Sequence, residues 1–198
     1  MNSRPNETRN RHGRRHKAAS RRLLLASTAL TAALLAAPRG YAEPPMPAPN
    51  TTPQGGQVVG GSASITQGAG STTITQSSQR AAIDWQSFNV GSNAHVTFVQ
   101  PNAQAIALNR VISENPSIIA GRIDANGQIV LMNQSGVVFA HGSQVNAESL
   151  IVSTSGISAK NFMAGKLIFD QPPHPGARIV NDGRITMKQA GLAAFVAP

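Results

Sequence analysis

The 198-residue chain contains no cysteine. That excludes disulfides, thiolate catalysis and cysteine-based metal sites, but not export. Aromatic residues make up only 4% of the sequence, which suits a narrow interior. Charge is scarce too, with 17 Lys and Arg against 8 Asp and Glu. Nine of the basic side chains fall before residue 43, where Glu7 is the sole acid, and the rest of the chain is nearly neutral. A neutral body lacks the clustered cations whose counterion release drives phosphate binding, so no nucleic-acid partner is expected.

No apolar run reaches the roughly 20 residues that a spanning helix needs. Leu23 to Ala37 is the nearest, and it follows a basic stretch and precedes Gly40-Tyr41-Ala42. This order is that of a secretory signal peptide, which predicts a signal over 1–42 cut after Ala42 and delivery to the periplasm. Ser20-Arg21-Arg22 leaves the general and twin-arginine routes both open. Residues 43–54 hold five prolines, predicting an extended, unpaired leader, with the folded region running over 55–198.

What the body has in quantity is short β-branched runs separated by Gly, Asn and Ser. Ser64-Ile65-Thr66, Val96-Thr97-Phe98-Val99, Ile129-Val130-Leu131, Val137-Val138-Phe139 and Lys166-Leu167-Ile168-Phe169 are too short for helices, and no amphipathic helix stands out. Turn signals such as Asn126-Gly127, Ser135-Gly136, His141-Gly142 and Asp182-Gly183 recur every six to fourteen residues. A sandwich stays open on this spacing. Strands of three or four residues, together with the likeness of Ile65-Thr66-Gln67 to Ile74-Thr75-Gln76, weigh toward a β-helix. The predicted class is all-β, a right-handed parallel β-helix with an N-terminal cap, in which Trp85 and Phe88 pack the cap or an early coil. Asn89, Asn109, Asn126, Asn133 and Asn146 read as corner residues. Arg110 and Arg122 read as solvated or paired with Glu114 or Asp124.

The ordered series Ile83 to Gly91, Val96 to Pro101, Ala107 to Val111, Asn115 to Gly121, Asn126 to Ile129, Asn133 to Phe139 and Val145-Asn146 resembles the amino-terminal secretion domain of two-partner secretion exoproteins of the filamentous haemagglutinin type. The resemblance implies a right-handed β-helix, exported to the periplasm and then secreted or held at the cell surface of a Gram-negative bacterium. It implies one partner, an outer-membrane β-barrel transporter. In adhesins and toxins of this kind a longer passenger meets a host or neighbouring cell surface. The family's Asn-Pro-Asn-Gly-Ile aligns with Asn133-Gln134-Ser135-Gly136-Val137, so Pro and the second Asn are replaced. Asn133, Gln134, Ser135, Gly136 and Val137, with Asn115, Pro116 and Ser117, are the candidate residues for transporter recognition or folding.

Catalytic chemistry has little to stand on. His95, His141 and His174 lack metal-ligand spacing, and Ser135 lacks a nucleophile elbow, so no catalytic residue, metal or cofactor is expected. The competing reading is a stand-alone β-helical carbohydrate-active or carbohydrate-binding protein using Asp84, Asp124 or Asp170. A third is a truncated remnant whose open final coil exposes unpaired strand edges and aggregates.

Overall fold

The computed structural model describes residues 44–188 and 191–197; the predicted signal segment and its cleavage point lie outside them. In chain order the strands are β1 (Gln57–Gly60), β2 (Ala63–Gly68), β3 (Ser71–Gln76), β4 (Arg80–Trp85), β5 (His95–Val99), β6 (Ile106–Val111), β7 (Ser117–Ile119), β8 (Arg122–Ala125), β9 (Gln128–Asn133), β10 (Val137–Phe139), β11 (Gln144–Ala147) and β12 (Ser149–Ser153). A short helix α1 (Ala159–Met163) follows, then β13 (Ile179–Asn181), β14 (Arg184–Met187) and β15 (Ala193–Val196).

These strands stack into three sheets, β1-β4-β6-β9-β12-β15, β2-β3-β5-β8-β11-β14 and the short β7-β10-β13. The chain visits the sheets in rotation, so each neighbour in a sheet is one coil further along, and the strands β3 to β15 pair with one another in parallel throughout. This is a parallel β-helix of about three turns. Gln128 lies beside Ile106 and Ser149 beside Gln128, giving coils of 22 and 21 residues. The outermost pairs, β1 with β4 and β2 with β3, are antiparallel.

The interior is filled by ladders of aligned side chains, such as Val96, Ile123, Val145 and Ile185 on one wall and Ala107, Ile129 and Leu150 on another. Small and β-branched residues suit these ladders because each fills one coil spacing, roughly the 4.8 Å between strands. Trp85 and Phe88 belong to this core, edge to face with centroids 5.4 Å apart.

Four local expectations are corrected. Ile65-Thr66-Gln67 and Ile74-Thr75-Gln76 are not successive coils: Ile65 faces Ile74 across an antiparallel hairpin that turns at Gly70, φ +72°. Asn109 and Asn146 sit within β6 and β11 rather than at corners. Lys166 to Phe169 form no strand but belong to a stretch over 154–178 that interrupts the last coil, so that Leu150 pairs with Ala193, 43 residues on. Ile157 and Phe162 of that stretch, the latter in the helix missed from sequence, cover Leu108, Val130 and Met132 on the outer face of the first sheet.

The fourth correction concerns the leader. Thr52 and Pro53 are buried, Gly91 N–H donates to the Thr51 carbonyl at 2.8 Å, and Asn93 N–H donates to that of Pro49 at 2.8 Å. Proline has no N–H to give, but its carbonyl still accepts, so a proline-rich segment can dock as an acceptor strip.

Candidate functional site

Asn115–Ser117 and Asn133–Val137, far apart in the chain, are corners of successive coils. The register of β7 against β10 sets Ser117 beside Val137. Asn133 joins them. Its side chain is fully buried, and its Nδ2 donates to the Asn115 carbonyl and to Ser117 Oγ, both at 2.9 Å. Its Oδ1 accepts from the Ser135 N–H at 2.9 Å, an Asx turn that bends the chain back, and the Gly136 N–H closes the turn on the Asn133 carbonyl at 3.0 Å. Ser117 N–H then donates to the Gly136 carbonyl at 3.0 Å. Gly136 has φ +114°, and a Cβ there would approach the Arg178 carbonyl oxygen to 2.9 Å, so a side chain is opposed both by conformation and by space.

Gln134 and Ser135 face away from this network. Gln134 Nε2 donates to the Pro172 carbonyl at 2.6 Å, and Ser135 Oγ lies 2.9 Å from His174 Nδ1. The site therefore includes residues that sequence reading did not connect with it, because the contact spans 38 and 39 residues and no local pattern marks it.

A model of the TPS secretion domain matches residues 50–197. The chain belongs to the TPS secretion domain family. Two heme/hemopexin-binding proteins of Haemophilus influenzae are similar to it: one, from strain Rd, is 39% identical over 53% of this chain and 12% of its own length, the other 44% identical over 43% and 9%. The crystal structure of the HMW1 secretion domain from Haemophilus influenzae superposes with TM-score 0.67 at 34% identity, covering 72% of this chain and 38% of that one. The chain thus corresponds to a small part of these curated relatives. This TPS domain is the secretion module of a two-partner secretion exoprotein, in a family of secretion domains rather than enzymes.

The carboxylates weighed for catalysis are engaged separately. Asp84 is held by Arg110 through two bonds of 2.7 Å, a bidentate pair on adjacent strands of the first sheet. Arg110 therefore pairs with Asp84, not with Glu114. Asp124, on the outer face of the second sheet, accepts from Arg122, from His95 and from Asn146. Asp170 lies in the 154–178 stretch. Among the described residues no three His, Asp or Glu side chains converge on a metal position.

Burial raises the Asp124 pKa, but the hydrogen bonds from Arg122, Asn146 and His95 and the Arg122 charge outweigh it, holding the carboxyl down to about 2. Because the folded value lies below the unfolded one, the resulting stability is present above pH 4 and is lost as pH falls through 4 toward 2. With Arg122 half-exposed, screening reduces the effect to on the order of 1–2 kcal/mol. Urea midpoints of wild type and Asp124→Asn should accordingly differ at pH 7 and draw together at pH 2.5. An equal gap at both pH values would remove the carboxylate from the acid response.

Proposed function

We propose that the corner formed by Asn115–Ser117 and Asn133–Val137 is where a partner outer-membrane β-barrel transporter engages this domain after a signal over 1–42, cut behind Ala42, has delivered it to the periplasm. The supporting observation is Asn133, whose buried amide ties both segments into one unit. Its neighbours Gly136 and Val137 are buried as well, and Pro116 is half-buried. The centre of the corner is therefore closed in the folded domain, which favours engagement while the last coil is still open. The haem and hemopexin named for the relatives belong to proteins of which this domain matches a small part, and nothing in the corner favours such a ligand.

The test is secretion of the full chain from a Gram-negative host with and without a candidate transporter. Wild type should reach the medium only with the transporter, and Asn133→Ala should reduce that amount at least about tenfold, since it strips partners from Ser117 Oγ and the Ser135 N–H at once. Val145→Ala, a cavity variant in the interior ladder of the second sheet with a comparable stability loss of about 2–3 kcal/mol, should be exported like wild type. Equal failure of both variants would reduce the Asn133 effect to stability alone. Transporter-independent appearance of wild type would overturn the partnership.

A further inference from the structure

Three residues depart from the family's turn motif: Val137 replaces isoleucine and stays buried, and the other two, Gln134 and Ser135, are the ones whose side chains leave the turn. Asn133 and Gly136, which match the motif, make all the internal bonds described above. Gln134 stands where the motif has proline, which carries no donor, and it donates to the Pro172 carbonyl at 2.6 Å. Ser135 stands where the motif has asparagine, and its hydroxyl meets His174 Nδ1 at 2.9 Å. Backbone bonds complete the contact: His174 N–H donates to the Gln134 carbonyl at 2.8 Å, and Val137 N–H to the Arg178 carbonyl at 3.0 Å. Between these two points Ala177 N–H donates to the His174 carbonyl at 3.0 Å, closing 174–177 into a turn of its own.

This segment is the end of the 154–178 stretch, whose start is anchored elsewhere, by Ile157 and Phe162 in an apolar cluster on the first sheet. Residues 172–176 are themselves mostly exposed. What holds them in place is thus the polar contact with the turn, together with the Gly156–Gln171 backbone bridge just before them, rather than burial. Moreover Pro172 follows Gln134 by 38 residues, so a chain that emerges N-terminus first presents the turn before its cover exists.

We propose that Gln134, Ser135 and His174 form a clasp that fastens the end of the 154–178 stretch over the recognition turn, leaving the turn open to a partner only until the clasp closes. On this view the side chains of Gln134 and Ser135 position the closing segment, beside the place their backbone has in the corner. The covering role rests on the recognition reading given above; the fastening does not.

Hydrogen exchange on the full chain separates the two. In Gln134→Ala/Ser135→Ala the amides of His174 and Val137 should exchange about tenfold faster, the loss expected when two polar contacts are removed from a locally opening segment. The Gly136 and Ser117 amides, bonded within the corner, should be unchanged, and His174 protection should return in part when Ser135→Thr replaces Ser135→Ala, because threonine keeps the hydroxyl. In the secretion assay His174→Ala, which loosens the clasp from outside the corner, should be exported at least as well as wild type. Unchanged exchange overturns the clasp. Export of His174→Ala lost to the same degree as that of Asn133→Ala also overturns it, since the covering segment would then be needed for recognition instead of closing it off. If exchange responds but Asn133→Ala is exported normally, the recognition reading fails, and the covering role with it, while the fastening stands.

Discussion

Trp85→Ala should lower the stability of the domain by about 4–5 kcal/mol, the sum of a large-to-small substitution in a rigid interior and a buried acceptor left without its donor. Trp85 is fully buried at the end of β4, edge to face with Phe88, and the Cβ position of Gly56 lies 2.5 Å from its ring, so the ring is held from several sides and the walls cannot close on the space it leaves. Its Nε1–H donates to Asn109 Oδ1 at 3.0 Å. That asparagine is itself fully buried in a ladder between Ile83 and Leu131, and its amide makes only 3.5 Å contacts to the Ala107 and Val130 carbonyls. Because domains of this size are stable by about 5–15 kcal/mol, the variant should sit close to unfolding, with a urea midpoint reduced by a third or more. A double-mutant cycle separates the two contributions. Trp85→Phe should cost about 2 kcal/mol, and in a background where Asn109 is leucine the same change should cost markedly less, because no acceptor is then left unpaired. A loss below about 2 kcal/mol for Trp85→Ala would mean that the first coil relaxes around the cavity, contrary to the packing described.

The pair Trp85 and Asn109 also shows what kind of information a sequence conceals in this fold. The strands were legible because their β-branched residues recur at short intervals between turn formers, and that pattern is local. Asn109 is also a typical turn former, and read alone it belongs at a corner; its actual role is set by an indole donor 24 residues away, brought beside it by coil stacking. The same holds for Arg110, for which Glu114 is the nearer acid in sequence but Asp84, 26 residues back, is the neighbour in register. Lys166 to Phe169 fail in the opposite direction: the local pattern is that of a strand, yet the stretch lies outside the coil and finds no ladder to join. At the corner proposed for recognition, Asn133 and Gly136 occupy the roles that turn chemistry assigns them. The union of Asn115–Ser117 with Asn133–Val137 through one amide, and the contact of residues 172–178 with the turn, depend on which coil lies next to which, and that follows from coil length rather than from any residue in the turn.

The second large effect is expected at a glycine that carries no turn signal. Gly121 connects the short sheet to β8 without a left-handed φ, so its backbone is open to any residue, but a Cβ there would lie 2.1 Å from the Gly91 carbonyl oxygen and 2.4 Å from that of Ala94. Neither oxygen can withdraw freely: the first accepts from Ala94 N–H at 2.8 Å and the second from Arg122 N–H at 3.0 Å. Nor can Gly121 itself move away without loss, since its N–H donates to Val90 at 3.1 Å and its carbonyl accepts from Gln144 N–H at 3.0 Å, linking the coil below to the coil above. Gly121→Ala must therefore pry two coils apart, and since no flexible side chain can absorb the strain, the cost should fall at about 3 kcal/mol or more, the upper end for overpacking. Gly142→Ala provides the opposite case, with φ +85° but no atom within 4 Å of the new methyl group, and should cost only the conformational penalty of about 1–2 kcal/mol. The comparison by urea denaturation decides whether close approach or backbone conformation limits the corners of this helix. If the two variants lose equal stability, the coils are more compliant than their hydrogen bonds imply; if Gly121→Ala loses more, coil spacing at the Gly91 and Gly121 corner is the tighter constraint, and it is one that no count of turn glycines can reveal.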